Sequence, residues 1–300
     1  MNYRPLNPLN KRSGGIIADI ILYASISVGL LLILFPFYNT LIISFAGYED
    51  LAASSFYLLP TRLSLHNYEH ILHQNKIINS MGISFFNVVI GTAMQLVMTT
   101  FAAYTLSRRT LPFRKTMSYF IVFTMFFSGG LIPWYMVVSN LGLVNNIFAM
   151  TVPGMIGTFN VILMRNYFDT IPVSLEESAR LDGAGEFVIM KNIYVPLSMP
   201  ILATVGLFSA VFFWNDWWFG QLFIQNEKLY PMALLLRKSI IEASGHLSDL
   251  AARFSSTYKP VQSRSVQAAA IILSIVPIMM VYPFLQRYFT KGIILGAVKA

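Results

Sequence analysis

Long uncharged runs broken by short polar interruptions dominate the chain. Residues 20–48 carry no charge, and about 20 apolar residues suffice to cross the hydrocarbon of a bilayer, so this run predicts a first membrane span with a kink at Pro36. Residues 49–76 are mixed and polar, predicting a loop with one short helix. A second span is predicted at 77–107, closed by Arg108 and Arg109 with Arg114 and Lys115 just beyond. Residues 116–164 hold no charge over 49 positions, too many for one crossing. The turn-forming SNLGLVNN at 139–146 divides them into a third span at 116–138 and a fourth at 147–167. After a hydrophilic stretch at 171–200 come a fifth span at 197–223, interrupted by WNDWW, a polar loop at 224–264, a sixth span at 265–286 and a tail at 287–300. The pattern predicts an all-α, six-span, polytopic membrane protein forming a single domain.

Composition agrees. Apolar residues make up 56% and charged residues 11%, against about 25% charged in soluble domains. The net charge of +8 does not signal nucleic acid, because the 21 Lys and Arg are scattered at the ends of apolar runs. If both termini are cytoplasmic, 13 of those 21 fall on the cytoplasmic side, and six of the others lie in the one long loop, where the positive-inside rule is weak. The first residues carry Arg4, Lys11 and Arg12 ahead of an apolar run much longer than a signal core, so an uncleaved first span is expected. The absence of cysteine excludes disulfides, a cysteine zinc site and a thiol nucleophile.

The hydrophilic stretch IPVSLEESARLDGAGEFVIMKNIYVPLSMP organises the rest. Ser174 and Glu177 have capping-box spacing, predicting a helix from 175. Gly183 can turn left-handed and end it. A second helical stretch would bury Phe187, Met190 and Tyr194, with Pro196 closing it. The full spacing is Glu177-Ser178-Ala179, three residues, Gly183, nine residues, then Ile193-x-Val195-Pro196, with Asp182 and Ala184 flanking the glycine.

This spacing resembles the EAA motif of permease subunits in binding-protein-dependent ABC importers, departing from it at Ser178 for Ala and Val195 for Leu. FSGGLIPWYMVVSNLGL at 127–143 and YPFLQRYFTKGIILGAVKA at 282–300 are similar to segments of the maltose-type carbohydrate permeases, second-permease branch. The subgroup importing complex or acidic oligosaccharides, such as alginate or oligogalacturonide, is the most similar. The resemblance implies the type I importer fold over 1–300 and a cytoplasmic coupling loop at about 168–196. Its motif residues Glu177, Ser178, Ala179, Asp182, Gly183, Ala184, Ile193 and Pro196 would engage a partner ATPase, with Glu177 facing it. The tail residues Lys291, Gly292 and Gly296 would reach the ATPase dimer. It further implies a second homologous permease, two ATPase subunits holding ATP and Mg, an extracytoplasmic solute-binding protein and an oligosaccharide substrate, in the lipid of a bacterial inner membrane.

Trp214, Asn215, Asp216 and Trp217 place an acid and aromatic faces inside an apolar run. They read either as part of a translocation path or as an interfacial aromatic belt. His66, His70 and His73 with Glu69 have metal-compatible helical spacing, but a solvated or docking face fits their loop setting better. A basic outer loop with Lys228, Arg237, Lys238, Arg253, Lys259 and Arg264 suits an acidic sugar or an acidic binding-protein surface. No G-x-x-x-x-G-K-[ST], G-x-G-x-x-G or H-E-x-x-H occurs, so the chain itself is expected not to be an enzyme and to hold no cofactor. An importer permease for a non-sugar solute and an ion-coupled secondary carrier are the rival readings. The carrier would place ionisable groups along several spans, where this chain has only Asp216.

Overall fold

The computed structural model describes residues 13–46, 63–73, 75–248 and 264–280, without the side chains of 13–17, 70, 75 and 242–248. The elements in chain order are α1 (Ser13–Phe45), α2 (His66–His73), α3 (Asn75–Ser107), α4 (Arg114–Phe126), α5 (Leu131–Asn140), two 3-10 turns at Ile147–Met150 and Val152–Gly154, α6 (Thr158–Phe168), α7 (Val173–Leu181), α8 (Glu186–Leu197), α9 (Met199–Asn215), α10 (Trp218–Phe223), α11 (Met232–Ser248) and α12 (Arg264–Met280). The only β pairing among the described residues is one bridge, Ala46 with Leu63. The tail carrying Lys291, Gly292 and Gly296 lies outside them, as does the end of the sixth apolar run.

Among the described residues two helices are each long and apolar enough to cross a membrane, Ala18–Phe45 and Lys76–Ser107, and three bent pairs pass the same test together. Each bend falls within or beside one of the apolar runs. Within the third run, α4 and α5 meet at 110°. Phe127 is extended and Gly130 sits at φ 88°, ψ 172°, a region that only glycine occupies without strain. At about 1.5 Å per residue the two arms measure about 20 Å and 15 Å, so neither spans about 30 Å of hydrocarbon alone. The fourth run begins as the two 3-10 turns, and α6 follows at 45°. Pro153 has no amide hydrogen to extend the first turns into an α-helix. Helices α8 and α9 meet at 83° at Ser198, where the hydrophilic stretch gives way to the fifth run. The loop expected at 224–264 contains α11, opened by Pro231 and a run of apolar residues that its flanking charges obscured. Pro36 lies inside α1, which runs on to Phe45.

By compactness the described residues fall into two units, α1 with the start of α2 and the first half of α12 forming one. In that unit Asn67 Nδ2 donates to the carbonyls of Ser44 and Ala46, each at 3.1 Å. Ser265 Oγ donates to Asn67 Oδ1, so one buried amide ties three segments. The most apolar window of α1 has none of its residues buried.

The second unit is built on α3. Gly91 lets the Phe213 ring of α9 lie directly on the α3 backbone, where a Cβ would meet three ring carbons at 2.8 Å. One core cluster lies at the end of α3 and joins Ala103, Tyr104, Met164, Phe168, Ile189, Tyr194 and Val205. A second lies around Val138, Met150, Phe223, Tyr230 and Leu234.

Candidate functional site

The stretch 171–200 folds as α7, a glycine turn and α8. Helix α7 begins at Val173, two residues before the expected start, and Ser174 makes no cap. Pro172 instead takes the N-cap position at φ −58° and ψ 129°, and its carbonyl accepts the Leu175 amide at 3.3 Å. The proline ring has already set the backbone that a capping side chain would otherwise stabilise. The other end follows the sequence reading. Gly183 adopts φ +80°, its amide donates to Arg180 O at 3.0 Å, and the Ala184 amide donates to Ala179 O at 2.9 Å. These two bonds form a Schellman motif, which requires the left-handed residue that glycine supplies.

Helix α8 differs from a regular amphipathic helix. Met190–Tyr194 is a π-turn, with the Val195 amide donating back to Met190 O. The wider turn displaces the carbonyl that the Pro196 ring would strike and rotates the face after it. The buried residues are therefore Ile189, Met190 and Tyr194, while Phe187, expected inside, is 60% exposed and stacks on Phe101 at 6.4 Å.

The motif positions divide between two faces. Ala179, Ala184 and Ile193 pack against the core cluster at the end of α3. Glu177, Ser178 and Asp182 are exposed, and so is Pro196 at the far end. Between them Leu175 and Leu181 add apolar surface, Leu181 being 90% exposed.

A charged network that sequence reasoning missed fastens this pair of helices to α3. Arg108 is only 8% exposed, and its guanidinium lies 4.3 Å from the ring centroids of both Tyr104 and Tyr194. It forms an ion pair with Glu176, which also accepts from Tyr194 Oη at 3.3 Å and from Arg180 Nη2 at 2.9 Å. The Tyr104 hydroxyl donates to Glu186 Oε2 at 2.7 Å, and Arg180 pairs with Glu186 as well. A planar guanidinium between two ring faces is a site that arginine fits and lysine does not. The Tyr104 hydroxyl holds the Glu186 carboxyl below its usual range, with Arg180 adding to the effect. Nearby, Arg114 Nη2 bonds both oxygens of Asp169 at 2.8 and 3.0 Å, and its Nε donates to Leu106 O at 2.7 Å. Basic residues expected only to anchor a span end thus hold tertiary structure. A cavity of about 480 Å³ opens between the ends of α3 and α4 and the face of α7, with Arg109 and Glu177 at its wall.

At the other aromatic cluster, Asp216 caps α10, Oδ1 accepting from the Trp218 and Phe219 amides, each at 3.1 Å. Its Oδ2 is buried and finds no hydrogen-bond partner among the described residues. Arg237 sits 3.6 Å above the Trp217 ring, and Trp218 meets Trp217 edge-on at 5.3 Å. Asn215 Nδ2 donates to Val211 O, and Trp214 is half-buried. No group of three or more His, Asp or Glu side chains that could hold a metal is found among the described residues, which do not include the His70 side chain.

Comparison with known proteins places these features in one lineage. Over 281 residues the chain is 38% identical to the polygalacturonan/rhamnogalacturonan transport system permease protein YtcP of Bacillus subtilis (strain 168), covering 94% of this chain and 98% of that one. It is 39% identical to the protein LplC of the same organism, over 91% of each. A chain from the crystal structure of a bacterial ABC transporter involved in the import of the acidic polysaccharide alginate superposes with a TM-score of 0.81 at 31% identity, covering 95% of this chain and all of that one. Residues 87–295 match the family of binding-protein-dependent transport system inner membrane components, and the chain belongs to it.

Proposed function

We propose that this chain is one of two homologous permease subunits of an ABC importer in a bacterial inner membrane. The pair carries an oligosaccharide, of the acidic uronate-containing class, delivered by an extracytoplasmic solute-binding protein. The relatives support the class, since YtcP is a polygalacturonan/rhamnogalacturonan permease and the superposed chain belongs to an alginate importer. The most apolar window of α1, none of whose residues is buried, supports a second permease, because exposed apolar surface of that length meets either lipid or a partner. In this reading α4 with α5 is one crossing, the two 3-10 turns with α6 are another, α9 with α10 is the fifth, α12 extends into the sixth, both termini are cytoplasmic, and 1–300 form one membrane domain.

The observation that carries the coupling role is the division of the motif between two faces. Ala179, Ala184 and Ile193 hold α7 and α8 to the protein, and Glu177, Ser178, Asp182 and Leu181 remain free to meet a partner ATPase. ATP and Mg are held by two such subunits, and this chain binds neither. Closure of the ATPases moves α7 as a rigid body and rocks the helices from inward-open to outward-open, driven by the different affinities of the two states for ATP. The tail with Lys291, Gly292 and Gly296 reaches the same partners. Trp214, Asn215, Asp216 and Trp217 line the path or its outer rim.

The deciding experiment is gentle purification from the native membrane, followed by ATPase and uptake assays in lipid with the binding protein and candidate oligosaccharides. Co-purifying ATPase and second permease, with hydrolysis stimulated by a binding protein loaded with a uronate oligomer, is the expected result. A chain that emerges alone and moves solute down an ion gradient would overturn the proposal.

A further inference from the structure

We propose that Arg108 is a positioning residue that makes α3 and the α7–α8 pair a single rigid body, so that movement of the coupling surface reaches the membrane through α3. This rests on the coupling role proposed above and names the joint through which it acts. Three independent contacts converge on the last turns of α3. Arg108 pairs with Glu176 of α7 while its guanidinium fills the space between Tyr104 and Tyr194. Tyr104 bonds Glu186 at the start of α8. One turn earlier, Phe101 stacks on Phe187. Buried charge, ring stacking and hydrogen bonds thus link one helix to both arms of the turn at Gly183.

A buried guanidinium at such a joint resists sliding. Its pairing and stacking are both geometry-dependent, so any shift of α7 along α3 leaves Arg108 without Glu176 or without one ring face. Leu181, at the far end of α7, has no comparable contact and is 90% exposed. The joint is therefore one-sided: fixed at α3, open at the surface where a partner would push.

The chain has no cysteine, so Phe101→Cys with Phe187→Cys gives a unique pair for a short bifunctional reagent. The test uses the assembled transporter in proteoliposomes, its partner subunits also free of cysteine, and reads uptake per ATP hydrolysed together with the KM for ATP. Cross-linking is expected to leave uptake per ATP within about twofold of the same double-cysteine complex before the reagent is added, because a rigid joint loses nothing by being locked. Arg108→Met is expected to lower uptake per ATP about tenfold or more with little change in KM for ATP, and Arg108→Lys to fall between. Cross-linking the Arg108→Met complex is expected to restore most of the loss, which a mere loss of stability would not allow.

Loss of uptake in the cross-linked wild-type complex would overturn the proposal, since it would show that α3 and α8 move past each other. Wild-type stoichiometry in Arg108→Met would overturn it too. If Arg108→Met fails to assemble, Arg108→Lys decides for the residue, and wild-type stoichiometry there would overturn the proposal. Gly183→Pro, measured alongside, separates the two levels: retained uptake there sinks the coupling role itself, whereas uncoupling there with a harmful cross-link sinks only the joint.

Discussion

The carboxylate of Glu176 closes on the buried guanidinium of Arg108, so the acid just before the motif glutamate holds α7 to the residue that follows α3. The two side chains are 14% and 8% exposed, which makes an unpaired partner costly. Glu176→Gln is expected to destabilise the chain by about 3 kcal/mol, since breaking a buried pair strands a charge. Arg108→Met combined with Glu176→Leu should recover part of that loss. Thermal unfolding of the purified complex, followed as a double-mutant cycle, measures both.

Gly183→Pro removes the amide that bonds Arg180 O and imposes a φ near −65° where the native value is +80°. Transport should uncouple from ATP hydrolysis while membrane insertion stays intact, because the change falls between helices. Gly183→Ala keeps the amide and costs about 1–2 kcal/mol of left-handed strain. Comparing ATPase rate with uptake in both variants checks the turn's contribution.

Gly91→Ala would drive a methyl into the face of Phe213, whose ring carbons lie 2.8 Å from that position. Phe213 is 1% exposed, so the ring has no room to withdraw, and an overpacking cost of about 1–3 kcal/mol is expected. Adding Phe213→Leu should relieve it. A fluorescence-monitored melt of the three variants tests the close approach of α3 and α9.

The lowered Glu186 carboxyl gives α8 a pH dependence. Its contribution is complete above the ordinary carboxylate value of about 4.3 and is lost as pH falls through the lowered native value. Amide exchange across residues 189–194, corrected for intrinsic rates, should be flat from neutral pH to about 4.3 and rise below it. Glu186→Gln should raise it already at neutral pH.

Asp216→Asn retains an oxygen for the Trp218 and Phe219 amides and should leave stability nearly unchanged, whereas Asp216→Ala should cost about 1 kcal/mol through the lost cap. Uptake measured in the Asn variant then isolates the charge. A fall in rate at unchanged stability places the carboxylate on the substrate path, and an unchanged rate leaves it as a cap.

How far the sequence carries can be judged residue by residue. The uncharged runs marked the helices because burial in lipid acts on composition, and Gly183 marked its turn because few residues accept φ +80°. Bends left little trace, since hydropathy is blind to direction and gives no angle such as the 110° between α4 and α5. Phe187 was misplaced because the face that packs is formed by Ile189, Met190 and Tyr194, and Phe187 stacks on the ring of Phe101 instead. Arg108 read as an anchor because its partners at 176 and 194 are brought near only by tertiary folding, and its one local sign was Tyr104 four positions earlier.

The 110° bend between α4 and α5 bears on how the chain is made. A ribosome delivers these arms one after the other, and neither is long enough for insertion machinery to release into lipid by itself. They enter as a unit, after α1 and α3 have already been threaded. Replacing Gly130 with a bulky residue would therefore register first as a defect of biogenesis rather than of transport.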